Sequence, residues 1–122
     1  METVLTGSKA SKGRTGEAVR GRAVAVDNPN DLSKFQEGDI LVTHMTNPDF
    51  VPMMSKAAAV VTEIGGRLCH AAIVSRELGI PAVVMVADAR ALLNGRDYHL
   101  CTDSVDGDIP AVQERPGIRY HD

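Results

Sequence analysis

Aromatic side chains are almost missing from this chain: two Phe, two Tyr and no Trp in 122 residues, 3% of the total. A hydrophobic core must therefore be assembled from Val, Ala, Leu, Ile and Met. Surplus charge is missing too. The formal net charge is -3 and no basic run stands out, so nothing electrostatic argues for a nucleic-acid partner. No apolar stretch is long enough to span a bilayer, and the N-terminus has no apolar core of the signal-peptide kind. The expected location is the cytoplasm, with no membrane contact. Two cysteines, Cys69 and Cys101, cannot build a disulfide framework and are expected to be small buried thiols. What remains is ordinary for one globular domain: 43% hydrophobic, 24% charged, and no internal repeat.

The apolar residues that are present come in short runs separated by turn signals. Residues 18–26 alternate and then stop at Asp27-Asn28-Pro29-Asn30, which predicts a strand and a turn. Residues 40–42, 57–62 and 81–86 read as buried strands, and 98–102 as another. Residues 32–35 suggest a helical turn. Asn47-Pro48-Asp49 predicts a loop, with Pro52 opening a short helix through Lys56. A longer helix fits 68–78, where Ala71, Val74 and Leu78 share a face and Gly79 supplies the stop. Asp88 is placed to cap a helix through Leu93, and Asp106-Gly107 is a turn signal. The polar first dozen residues are expected to form a loosely held loop. Residues 1–112 are read as the domain and 113–122 as a polar C-terminal tail.

One stretch carries chemistry. An apolar run ends at Thr62, Gly65 and Gly66 follow, and His70 then opens an amphipathic segment with Arg67 just before it. The start of a helix offers unpaired backbone N–H groups and partial positive charge, and glycines let the backbone close on an anion. Arg67 adds a permanent cation with donors suited to phosphate oxygens. His70 offers a ring nitrogen with a lone pair near neutral pH. The other ring nitrogen needs a partner, for which the Thr62 side chain or a nearby carbonyl is a candidate. Phosphoryl transfer asks mainly for positioning and charge neutralisation, and the cluster provides both. Leu68 and Ile73, beside His70, are candidates for a docking surface. His44 is expected to be a hydrogen-bonded loop residue, and Met45, Met53, Met54 and Met85 to fill the core. Cys69 with His70, and His99 with Cys101, do not match structural zinc spacings, so no metal is expected.

The run Gly65-Gly66-Arg67-Leu68-Cys69-His70-Ala71-Ala72-Ile73-Val74-Ser75-Arg76-Glu77-Leu78-Gly79-Ile80-Pro81-Ala82 resembles the phosphohistidine signature of the mobile domain of phosphoenolpyruvate-utilising enzymes. That family includes phosphoenolpyruvate synthase and pyruvate phosphate dikinase, which the run resembles most, and also enzyme I of the sugar phosphotransferase system. Gly7, Gly13, Gly16 and Gly21 fit the family's opening segment and Asp106-Gly107 its closing turn. Lys12 and Pro110 depart from the pattern, at turns and away from the motif.

The resemblance implies a mixed α+β fold, a three-layer β/β/α swivelling phosphohistidine domain. In it His70 carries a phosphoryl group between two active sites, with Thr62, Gly65, Gly66, Arg67 and Cys69 supporting the phosphate. It implies no cofactor on this chain. Magnesium with ATP or phosphoenolpyruvate belongs to partners: an ATP-grasp nucleotide-binding protein and a phosphoenolpyruvate-binding barrel, as donor and acceptor. The expected role is a free-standing phosphohistidine carrier, a phosphotransferase component with no turnover alone. The alternatives are a non-catalytic regulatory module of the same fold and a fragment of a full-length enzyme.

Overall fold

The computed structural model describes residues 3–6, 8–13, 19–66, 68–95, 97–101 and 111–114. Arg67, Gly7, Gly16, the Asp106-Gly107 turn, Pro110 and the tail from 115 lie outside the described residues. Among those described, the strands are β1 (Thr3–Thr6), β2 (Ser8–Lys12), β3 (Val19–Ala25), β4 (Ile40–Thr43), β5 (Ala59–Thr62), β6 (Pro81–Val84), β7 (Asp97–Cys101) and β8 (Ala111–Glu114). The helices are α1 (Val51–Met54), α2 (His70–Leu78) and α3 (Ala89–Leu93), with single 3-10 turns at Leu32–Lys34 and Pro48–Phe50.

Strands run in the order β1-β8-β7-β3-β4-β5-β6-β2. From β3 to β6 each neighbouring pair is parallel, and β2 closes that edge antiparallel to β6. On the other side β3 pairs antiparallel with β7, β7 with β8, and β8 with β1. This is the mixed α+β architecture of the β/β/α swivelling fold. Parallel strands covered on both faces read as near-continuous apolar runs, and β4, β5 and β6 are buried throughout, the terminal Thr43 and Thr62 included. Their side chains alternate between two cores. Val24, Leu41, Val60, Ala82 and Val84 meet Phe35, Phe50, Met53, Met54 and the α2 residues Ala71 and Ala72. On the opposite face Ala23, Ile40, Val42, Ala59, Val61 and Val83 meet Val86, Ala89 and Leu93. Each such Val or Leu contributes roughly 1.5–3 kcal/mol by leaving water. The small side chains of Ala71 and Ala72 let α2 lie close to the sheet.

Several boundaries differ from the sequence expectation, each for a local reason. Helix α2 begins at His70 and not at Leu68, because Cys69 is extended (φ -75, ψ 167) and serves as N-cap. Its end is as expected: Gly79 is left-handed (φ 75), and its N–H and that of Ile80 return to Arg76 and Ser75 carbonyls. The segment read as a loop at Asn47-Pro48-Asp49 is a 3-10 turn, capped by Asn47 Oδ1 accepting the Asp49 N–H at 2.9 Å. The polar opening residues are strands β1 and β2, not a loop. An edge strand buries little, so its composition looks like a loop. In β2, Ala10 reaches the core, Ser11 Oγ donates to the Ile80 carbonyl at 2.7 Å, and pairing with β6 supplies the rest. Strand β8 extends to Glu114, so Gln113 and Glu114 are paired residues of the sheet.

Candidate functional site

Strands β4 and β5 end level with one another, Thr43 opposite Thr62. Two loops therefore leave side by side at the carboxyl ends of adjacent parallel strands, the position where open α/β sheets bind ligands. The backbone ties them: the Glu63 N–H donates to the Thr43 and His44 carbonyls, and the Ile64 N–H to His44, all at 3.1 Å. Between the loops and the start of α2 lies a hollow of about 110 Å³. Met45 and Thr46 line it from the first loop, Thr62, Ile64 and Gly65 from the second, and Cys69, His70 and Ala71 from the helix start.

His70 is half-buried at the first position of α2. Its Nδ1 lies 2.8 Å from Thr46 Oγ1. Thr62, the candidate from sequence, is not the partner: it is fully buried and its hydroxyl donates to the Ile64 carbonyl at 2.8 Å. Thr62 thus braces the turn that carries the glycines. Those two glycines are not equivalent. Gly65 has φ +120, and a Cβ there would meet Cys69 Sγ at 2.9 Å. At Gly66 a Cβ would meet nothing within 4 Å, and its carbonyl accepts the Cys69 N–H at 3.2 Å. Cys69 packs partly buried against the helix-side core as a free thiol. Helix bonding starts with the Ile73 N–H to the Cys69 carbonyl, so the His70, Ala71 and Ala72 amides precede the first intrahelical bond. Arg67, the expected cation, lies outside the described residues. Further along α2, Arg76 Nε donates to the Ala10 carbonyl at 2.8 Å and anchors the helix to β2.

An apolar rim surrounds His70. Leu68 is 83% exposed and Ile73 43%, and Met45 (52%) and Ile64 (43%) extend this exposed apolar set. Met45 therefore does not fill the core as expected, nor does Met85 at 57% exposed, whereas Met53 and Met54 do.

Behind the hollow sits a charged cluster. His44 Nδ1 is 3.0 Å from Glu63 Oε1, so His44 is the hydrogen-bonded loop residue anticipated. Glu63 also accepts the Arg90 backbone N–H at 3.0 Å and Arg90 Nε at 3.1 Å, and Arg90 continues to Asp27 at 2.6 Å. Asp88 stands at the N-cap of α3 as expected but makes no side-chain capping bond; the Glu63 carboxylate, arriving from another loop, caps the helix instead. Burial alone would raise the Glu63 pKa. The Arg90 N–H, the His44 ring and the Arg90 guanidinium outweigh it and hold the carboxyl near 2, below its usual 4.5. Sequence reasoning missed Thr46, Glu63 and Arg90. The one available signal for Thr46 was its place just beyond a buried strand that pairs with the strand leading to the motif.

A mixed sheet with α2 packed on one face, and His70 at the start of that helix beside the ends of parallel β4 and β5, defines the class of swivelling domains. Residues 35–112 match the family described as PEP-utilising enzyme, mobile domain, and the chain belongs to that family. It is similar to a probable phosphoenolpyruvate synthase of Pyrococcus abyssi, 52% identical over 97 residues that cover 80% of this chain and 11% of that protein. A probable phosphoenolpyruvate synthase of Archaeoglobus fulgidus is 44% identical over 96% of this chain and 14% of its own length. The chain thus spans only about a tenth to a seventh of these relatives. Among solved structures, an Enzyme I protein shares the fold with a TM-score of 0.50 and 24% identity, over 66% of this chain and 33% of that one. Aconitase X of Thermococcus kodakaraensis shares it with a TM-score of 0.54 and 15% identity, over 89% and 98% of the two chains. No helix among the described residues is long and apolar enough to cross a membrane.

Proposed function

We propose that this chain is a phosphohistidine carrier in a phosphotransfer system like that of phosphoenolpyruvate synthase, and that His70 Nε2 is the atom that carries the group. The observation behind this is the 2.8 Å contact that commits Nδ1 to Thr46 Oγ1. Attack from Nε2 needs a lone pair there, which is the tautomer with hydrogen on Nδ1 donating to the threonine. The Nε2 lone pair forms the N–P bond as the bond from phosphorus to the donor oxygen breaks, and its electrons leave with that oxygen. Delivery to the second site is the same step in reverse, with a different oxygen attacking. The open amides at the start of α2 and the Arg67 guanidinium neutralise the phosphoryl oxygens, while Thr62, Gly65, Gly66 and Cys69 shape the loop beneath. The donor and acceptor sites belong to a nucleotide-binding ATP-grasp unit and a phosphoenolpyruvate-binding barrel, which hold the magnesium. The exposed rim of Met45, Ile64, Leu68 and Ile73 suits brief apolar docking against such sites in turn.

The test is intact-mass analysis after incubation with phosphoenolpyruvate or ATP plus an extract of the source cells, using wild type and His70→Ala. The expected result is a phosphate-sized gain, stable in alkali, lost in acid and absent from the variant. A gain that persists in His70→Ala removes His70 as the acceptor. No gain with either donor favours an interaction module of the same fold.

A further inference from the structure

We infer that Glu63 is a positioning residue for His70, acting through the loop that carries Thr46; the inference rests on His70 being the phosphoryl acceptor. Glu63 does not line the hollow. It stands where three segments converge. Its backbone N–H and that of Ile64 hold the Thr43 and His44 carbonyls, and its carboxylate takes the His44 ring at 3.0 Å. The same carboxylate takes the Arg90 backbone N–H at 3.0 Å and its guanidinium at 3.1 Å, which fastens both loops to α3.

Thr46, whose hydroxyl sets the His70 ring, lies two residues past His44 on that clamped loop. From the end of β4 the Thr43 hydroxyl reaches the Met45 carbonyl at only 3.4 Å, a weak brace. The loop's side-chain anchor on that flank is therefore His44 on Glu63. The Glu63 side chain is 12% exposed and its partners are N–H donors, which favour the ionised carboxylate near neutral pH. A histidine nucleophile loses effectiveness when its ring turns or changes tautomer, and groups behind the reacting atoms often govern both. Arg90, itself paired with Asp27, then holds Glu63 as Glu63 holds the loop.

The experiment uses the 122-residue chain labelled with 15N in its histidine rings. Potassium phosphoramidate serves as a partner-free donor: the ring nitrogen attacks phosphorus, the P–N bond breaks and ammonia leaves. Wild-type His70 should show hydrogen on Nδ1 and accept phosphate at Nε2 ahead of the other histidines. Glu63→Ala should move the ring shifts toward the tautomer mixture of free histidine and slow labelling of His70 on the order of ten-fold. If Glu63→Ala fails to fold, His44→Ala carries the test. That side chain is half exposed, its removal leaves the Glu63–Arg90 pair intact, and His70 should move part of the way at an unchanged melting temperature. Wild-type ring shifts and labelling rate in a folded Glu63→Ala, or in His44→Ala, would overturn the inference and leave the carrier role of His70 standing. If instead wild-type His70 shows no preference in labelling or carries its hydrogen on Nε2, the carrier reading fails, and the inference with it.

Discussion

His44 and His70 are both held through Nδ1, but one faces a carboxylate and the other a hydroxyl. The carboxylate side is a charge network in which Arg90 bridges Glu63 and Asp27. The hydroxyl side is apolar and open, with Met45 and Ile64 at its mouth. On the proposed role of His70, the difference follows from what each ring has to meet. A carboxylate beside His70 would orient the ring well but would repel an incoming phosphoryl group. A threonine orients it without negative charge. The chain places its nearby carboxylate behind the loop and commits it to an arginine, so the field at His70 is left to the helix start.

Thr46→Val tests that contrast most severely. Thr46 is 4% exposed, so valine keeps the shape and removes only the partner of Nδ1. A lost hydrogen bond of this kind is worth about 1–1.5 kcal/mol, which corresponds to roughly ten-fold in rate. Labelling of His70 by phosphoramidate should fall by about that factor, and the melting temperature should drop by no more than a few degrees. An unaltered rate would mean that the hydroxyl does not set the ring, and the contrast with His44 would lose its meaning.

The glycine pair sharpens the same comparison in stability. Gly65→Ala puts a Cβ 2.9 Å from Cys69 Sγ at φ +120, whereas Gly66→Ala finds open space. A strained backbone with a close contact costs on the order of 1–3 kcal/mol, so chemical denaturation should show Gly65→Ala well below wild type and Gly66→Ala near it. Equal losses would place the strain elsewhere in the loop.

How far the sequence could be read depended on how local each cause is. Strands β4, β5 and β6 were legible because a parallel strand covered on both faces is a near-continuous apolar run. His70, the glycines and the Gly79 stop were legible because they act on neighbours in the chain. Thr46 was not, since it meets His70 across 24 residues and a polar residue after a strand has many uses. The Glu63 cap on α3 was hidden for the same reason: Asp88 occupies the local capping position, and the bond comes from 27 residues away. Strands β1 and β2 were hidden because pairing with remote strands, not their own composition, makes them strands. Met45 and Met54 look alike in sequence, and only the fold distinguishes rim from core.

Acid separates the two histidine environments by a last and smaller effect. The Glu63 carboxyl titrates near 2 in the folded chain against a usual 4.5, so between those values the unfolded chain binds more protons. Its contribution to stability is therefore fully present above about 4.5 and is lost as pH falls toward 2. In Glu63→Gln that titration is gone. Melting temperatures of wild type and Glu63→Gln should differ near neutrality and converge as the pH drops through that window. The threonine hydroxyl has no proton to gain there, so Thr46→Val should run parallel to wild type. A constant gap between wild type and Glu63→Gln would mean that the low carboxyl pKa is not coupled to folding, and the clamp behind the loop would then be weaker than its distances imply.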